Sequence, residues 1–163
     1  GGIASDWANV RWQMQGRLWV HFLSLLAQAA FLFGFGSVTS DMGWVAAVIM
    51  LAIFSIFVNM AEGTSYGIVP YMLPQHLAIT SAIVGAGGTA GAVVATWAFY
   101  KYIPDTLLPL KLHAAYVLFS AFTVFLMRWD HLGSMFSGPK KPQATKQRKP
   151  AEGVAGGSAQ RPL

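Results

Sequence analysis

Charge is missing from this chain in long runs, and the runs predict its elements. Leu18–Ser40 holds 23 residues without Asp, Glu, Lys or Arg, and Met42–Ala61 holds 20. Gly63–Tyr100 holds 38 and Leu112–Met127 holds 16. An α-helix needs about 20 apolar residues to cross a hydrocarbon core roughly 30 Å thick. The 38-residue run exceeds one span, and Pro70, Pro74 and the polar pair Gln75-His76 divide it. The pattern predicts an all-α membrane protein with four spans, at about 18–37, 43–72, 78–100 and 107–128. The second is long enough to tilt, protrude or kink near Gly63, Gly67 or Pro70. No alternation of apolar and polar positions supports membrane strands, which are about 10 residues long. A soluble bundle also fits poorly, because helices apolar all round leave no wet face.

Composition agrees. Apolar residues are 55% and charged residues 10%, against roughly 25% charged in an ordinary soluble domain. The net charge of +5 belongs to one end. Residues 139–163 carry six bases (Lys140, Lys141, Lys146, Arg148, Lys149, Arg161) and Glu152, whereas residues 1–138 carry five of each sign. The basic pI therefore argues for no nucleic-acid face on the body. With four spans both ends share a side. Arg11, Arg17 and the basic tail place that side in the cytosol by the positive-inside rule. The organisation expected is a cytosolic loop over 1–17, a transmembrane region over 18–136 and a disordered basic tail over 137–163. The tail is read as a solvated end, with contact to anionic lipid or regulation through Thr145 or Ser158 as alternatives. The chain opens at Gly1 with no Met or signal-peptide pattern before it, and is expected to be a piece of a longer protein.

Two features could carry chemistry. The first is Gly85-Ala-Gly-Gly-Thr-Ala-Gly91. A dinucleotide loop would need a strand before these glycines and a solvated helix start, and they lie inside an uncharged run. They suit close helix packing through Gly87-x-x-x-Gly91, or packing together with contact to a small anion that approaches the bare backbone. The second is Glu62, the lone acid between Asp41 and Asp105. A carboxyl inside a membrane is a functional candidate by default, and removal from water favours its protonated form. Glu62 is therefore a candidate proton-coupling residue. Alternatively it lies near a watery vestibule, satisfied by Thr64, Ser65 or Asn59. The histidines His21, His76, His113 and His131 are scattered near helix ends and read as interfacial. No catalytic set, metal set or cofactor motif is visible, and cysteine is absent. An enzyme is not expected.

Gly2-Ile-Ala-Ser-Asp6 followed by Gly16-Arg17 resembles the loop motif of the major facilitator superfamily, in a long-spaced form similar to eukaryotic nitrate transporters. Gly16-Arg-Leu-Trp19 fits the same likeness. Glu62-Gly-Thr-Ser-Tyr-Gly-Ile-Val-Pro70, Val84 to Gly91, and the Trp129…Gly133-Ser-Met-Phe136 ending resemble the nitrate/nitrite porter family, most nearly its algal and fungal members. The likeness covers residues 1 to about 136. It implies the last four helices of a twelve-helix carrier. It also implies uptake of nitrate, with nitrite left open as a second substrate, coupled to protons and serving nitrate assimilation, in the plasma membrane. Family members hold nitrate between two arginines, the C-terminal one in an Arg-Pro pair just before the position of Gly1.

The substrate-binding residues implied here are Gly85, Gly87, Gly88, Thr89 and Gly91. Thr89 stands where the family usually has Asn, and Gln15 where related chains often have Arg. Gly2, Asp6, Gly16 and Arg17 would form the conformational loop motif, Asp6 and Arg17 holding cytosolic helix ends together in one state and releasing them in another. Partners expected are the anion, protons and membrane lipid, with any accessory membrane protein unknown. The rival from another class is a small non-transporting membrane subunit of a larger complex.

Overall fold

The computed structural model describes residues 1–129 and 132–138 and, at residue 40, the backbone alone. Expectations for His131 and for the tail beyond Gly138 lie outside the described residues. Among the described residues, four helices are long and apolar enough to cross a membrane. They are α1 (Gly2–Phe35), α2 (Gly43–Met72), α3 (Leu77–Ala95) and α4 (Leu108–Thr123). Short turns extend them. Pro74–His76 leads into α3, a π-turn at Thr96–Tyr100 prolongs it, and Val124–Leu126 closes α4. An antiparallel pair follows, β1 (Arg128–Trp129) with β2 (Gly133–Ser134), Arg128 opposite Ser134 and Trp129 opposite Gly133. Gly133 permits that tight return with φ +89, a backbone region glycine enters at little cost.

The first seventeen residues differ from expectation. They are helical, and α1 begins at Gly2 rather than Leu18. Charges at Asp6, Arg11 and Arg17 end the uncharged run, but nothing among these residues is a proline or otherwise stops a helix. Gln13 breaks the helix with φ 54 and ψ −142, a left-handed excursion that costs a non-glycine residue of order 1–3 kcal/mol. The break separates an arm, residues 2–12, from the membrane helix proper. The arm folds back so that Ser5 and Ala8 are buried. Gly16 makes the return sharp: a Cβ there would fall on the Ala8 carbonyl.

Helix α1 is the hub and packs along both α2 and α4. The core gathers at one end of the bundle. Met14, Leu18 and Phe22 of α1 meet Ile68 of α2, Ala121 and Val124 at the end of α4, and Met135 beyond β2. Phe22 and Phe125 lie ring to ring at 4.9 Å. Gln15 ties the same end down. Its amide oxygen accepts from the backbone N–H groups of Gly138 (3.0 Å) and Ser137 (3.2 Å). By contrast α3 contributes one buried residue, Thr80. Ile79, Ile83, Val93 and Val94 of α3 are exposed, as are Val48, Ile49 and Ile56 of α2. Such apolar faces suit lipid or further helices, not water.

Outside the spans, Asp105 opens α4. Its carboxylate accepts from the N–H groups of Leu107 (2.8 Å) and Leu108 (3.3 Å). Those two donors, with help from Lys111, hold the carboxyl below the usual carboxylate range.

The two loop-motif glycines should separate on substitution. A Cβ on Gly2 meets nothing within 4 Å, whereas one on Gly16 meets backbone. Gly16→Ala should cost about 1–3 kcal/mol, as overpacking does, and Gly2→Ala close to nothing. Thermal unfolding of the detergent-solubilised protein reads the difference, and equal midpoints would disprove the folded-back arm.

Candidate functional site

Two groups of side chains have chemistry to offer, and α2 connects them. The first sits where α1 meets α2. Arg17 is buried, with 7% of its surface exposed. Its Nη2 donates to Asp6 Oδ1 at 2.6 Å, and its Nη1 donates to Ser5 Oγ (3.1 Å) and to the Gly67 carbonyl (3.2 Å). The Tyr71 ring lies 5.2 Å from the guanidinium carbon, in cation–π range. Tyr71 therefore packs on Arg17. Gly67 is needed for this approach: a Cβ there would lie 3.0 Å from Arg17 Nη1. One helical turn along α1, His21 Nδ1 lies 2.8 Å from Thr64 Oγ1, both buried. The Thr64 hydroxyl donates to the carbonyls of Met60 (3.0 Å) and Ala61 (2.9 Å). With the single hydroxyl hydrogen shared between those carbonyls, a lone pair is left for the ring, which bonds through Nδ1–H in the tautomer that carries the proton there. His21 is buried between α1 and α2.

The second group lines a cleft of about 570 Å³ between α2 and α3. Glu62, Ser65 and Tyr66 face it from α2, and Val84, Gly85, Gly88 and Thr89 from α3. Residues 62, 65 and 66 lie at i, i+3 and i+4, as do 85, 88 and 89, so each set is one helical stripe. The Tyr66 hydroxyl lies 3.3 Å from where a Gly85 Cβ would be. Glu62 is exposed to the cleft. The three groups expected to satisfy it bond to helix carbonyls instead. Asn59 donates to Ser55 O, Thr64 to Met60 O and Ala61 O, and Ser65 to Ala61 O.

The glycines divide. Gly85 and Gly88 line the cleft, while Gly87 and Gly91 do not. A Cβ on Gly87, Gly88 or Gly91 would meet nothing within 4 Å. Packing among the described residues therefore does not require these three glycines. Nor do they offer amide donors, because α3 runs unbroken through them and each N–H is spent on the carbonyl four residues back. What they supply is room. Thr89 Oγ1 donates to the Gly85 carbonyl at 3.1 Å, so its hydrogen is already used. Glu62 and the glycines were legible in the sequence. Ser65 was named only as a partner for Glu62, and Tyr66 was missed, although its helical spacing from Glu62 was available. The His21–Thr64 bond joins residues 43 apart, a pairing no local pattern announces.

The chain is 32% identical over 144 residues to high-affinity nitrate transporter 2.3 of Oryza sativa subsp. japonica, covering 86% of this chain and 27% of that protein. It is 30% identical over 150 residues to nitrate transporter 2.2 of Chlamydomonas reinhardtii, covering 86% and 28%. It is 29% identical over 150 residues to high affinity nitrate transporter 2.5 of Arabidopsis thaliana, covering 90% and 29%. The chain is a relative of the high-affinity nitrate transporters. It spans about a quarter of the length of the relatives it matches. No family model and no solved structure matches it. Four helices with lipid-ready faces agree with an integral membrane protein of this kind.

In this nitrate-transporter relative, the His21–Thr64 bond is testable apart from transport. His21→Leu and Thr64→Val should each lower stability by about 1–3 kcal/mol, the cost of orphaning a buried polar partner. The double variant should cost less than the two together. Additive losses in detergent unfolding would show that the two side chains do not interact.

Proposed function

We propose that this chain forms the last four helices of a twelve-helix carrier that moves nitrate, with nitrite as a further substrate, into the cell for assimilation. It works with protons, by alternating access, in the plasma membrane, with the chain's ends on the cytosolic side. The observation that carries the reading is the cleft in which Glu62 and the glycine stripe of α3 come together.

Nitrate is a small planar monoanion. Gly85 and Gly88 keep the α3 wall low, so an anion can come close to the helix. An ionised Glu62 opposes it. Two like charges 4 Å apart repel by about 4 kcal/mol at an effective dielectric of 20. A proton on Glu62 removes that repulsion and turns the carboxyl into a donor. Anion and proton then favour each other's binding reciprocally. That mutual preference is what symport requires.

The arm supplies the moving part. Asp6 is 70% exposed while Arg17 is 8% exposed. Release of Asp6 would leave the buried guanidinium on two neutral oxygens, Ser5 Oγ and the Gly67 carbonyl, at a cost of several kcal/mol, so the pair favours the engaged state until something else takes the place of Asp6. We read this as a latch between the cytosolic ends of α1 and α2, engaged in one state and open in the other.

Gly88→Leu in the complete carrier should abolish labelled-nitrate uptake without preventing membrane insertion, because a Cβ there meets nothing within 4 Å and the rest of the side chain would take up space in the cleft. Normal nitrate accumulation would refute a substrate path here. Glu62→Gln should separate the two fluxes, with nitrate still moving but the proton uptake that accompanies it lost. Unchanged proton movement per nitrate would place the coupling elsewhere.

A further inference from the structure

The cleft is short of hydrogen-bond donors, and a count of those it has singles out one side chain. The amides of Gly85 and Gly88 are spent within α3. The Thr89 hydroxyl donates to the Gly85 carbonyl at 3.1 Å. The Ser65 hydroxyl donates to the Ala61 carbonyl at 2.9 Å. Glu62 in its ionised form donates nothing. Tyr66 remains. Its hydroxyl makes no hydrogen bond with the described residues, and its side chain is exposed on the cleft. The hydroxyl lies over Gly85, at 3.3 Å from the position a Cβ would take. It is thus held above the wall at a place where only glycine leaves ordinary clearance.

We infer that the Tyr66 hydroxyl is the neutral donor that receives the oxyanion in this cleft, and that Gly85 is glycine in order to seat it. This rests on the transport reading above and adds to it a residue that sets affinity. A phenol suits the task. It gives one directed O–H to an anion oxygen while adding no charge that would hold the anion too tightly to release. It stands one helical turn from Glu62 on the same stripe, so a proton arriving on the carboxyl adds a second donor beside the first. Gly85 then acts through Tyr66 as a positioning residue.

The test uses the complete carrier in cells without nitrate uptake of their own. Tyr66→Phe keeps the ring and removes the donor. It should raise KM for nitrate about tenfold with Vmax and surface abundance unchanged, the loss of roughly 1.4 kcal/mol that one hydrogen bond to a charged partner is worth. Gly85→Ala should raise KM when Tyr66 is present, and by clearly less when combined with Tyr66→Phe, where no hydroxyl is displaced. A Tyr66→Phe carrier with wild-type KM, or penalties that add in full, would overturn the assignment while leaving the transport reading intact. A wild-type carrier that moves no nitrate would overturn both.

Discussion

A guanidinium buried at the meeting of two helices is the constraint on which the rest of this bundle depends. Arg17 cannot be left in an apolar setting without partners, since an uncompensated buried charge costs several kcal/mol. Its partners come from three places: the arm before the bend (Ser5 and Asp6), the α2 backbone at Gly67, and the Tyr71 ring. To pair the two terminal nitrogens of this side chain, the chain folds its first twelve residues back and brings α2 to a fixed height along α1, while the buried Nε is left without a partner among the described residues. His21 and Thr64 repeat the same fastening one turn further along. With α2 held on that face, its opposite stripe, Glu62, Ser65 and Tyr66, has a single direction in which to point. The cleft on α3 thus owes its composition to contacts on the far side of α2.

The same part of α2 is also where its helix is least secure. Pro70 has no N–H for the Tyr66 carbonyl, and Gly63 and Gly67 give up side-chain packing. The helix nonetheless continues to Met72. Side chains on α1 hold this stretch from outside, Arg17 at the Gly67 carbonyl and His21 at Thr64. This part of α2 lies between the Arg17 cluster on one side and the cleft with α3 on the other.

How much of this could be read from the chain depended on the range of the interactions involved. The spans follow from a local rule, since hydrocarbon tolerates no long stretch of charge, and α2 opens at Gly43 where the uncharged run begins. The arm was hidden by the same rule, because Asp6, Arg11 and Arg17 look like a loop when only missing charge is counted. Nothing local reveals that a backbone break at Gln13 lets a charged helix lie along a neighbour. In the cleft, Glu62 and Gly85 to Gly91 declare themselves by being out of place in a membrane span. Tyr66 does not, since a tyrosine in such a helix is ordinary. It gains meaning only once the hydroxyls of Ser65 and Thr89 are seen to be occupied and Gly85 is seen beneath it.

The bond from Gln15 to the amides of Ser137 and Gly138 has a mechanical consequence. Only an acceptor can receive two N–H groups, so an arginine at this position could not make the attachment. The amide sits two residues beyond the break at Gln13 and two before Arg17. Residues 137 and 138 are therefore fastened to α1 itself, between the bend at Gln13 and the buried Arg17.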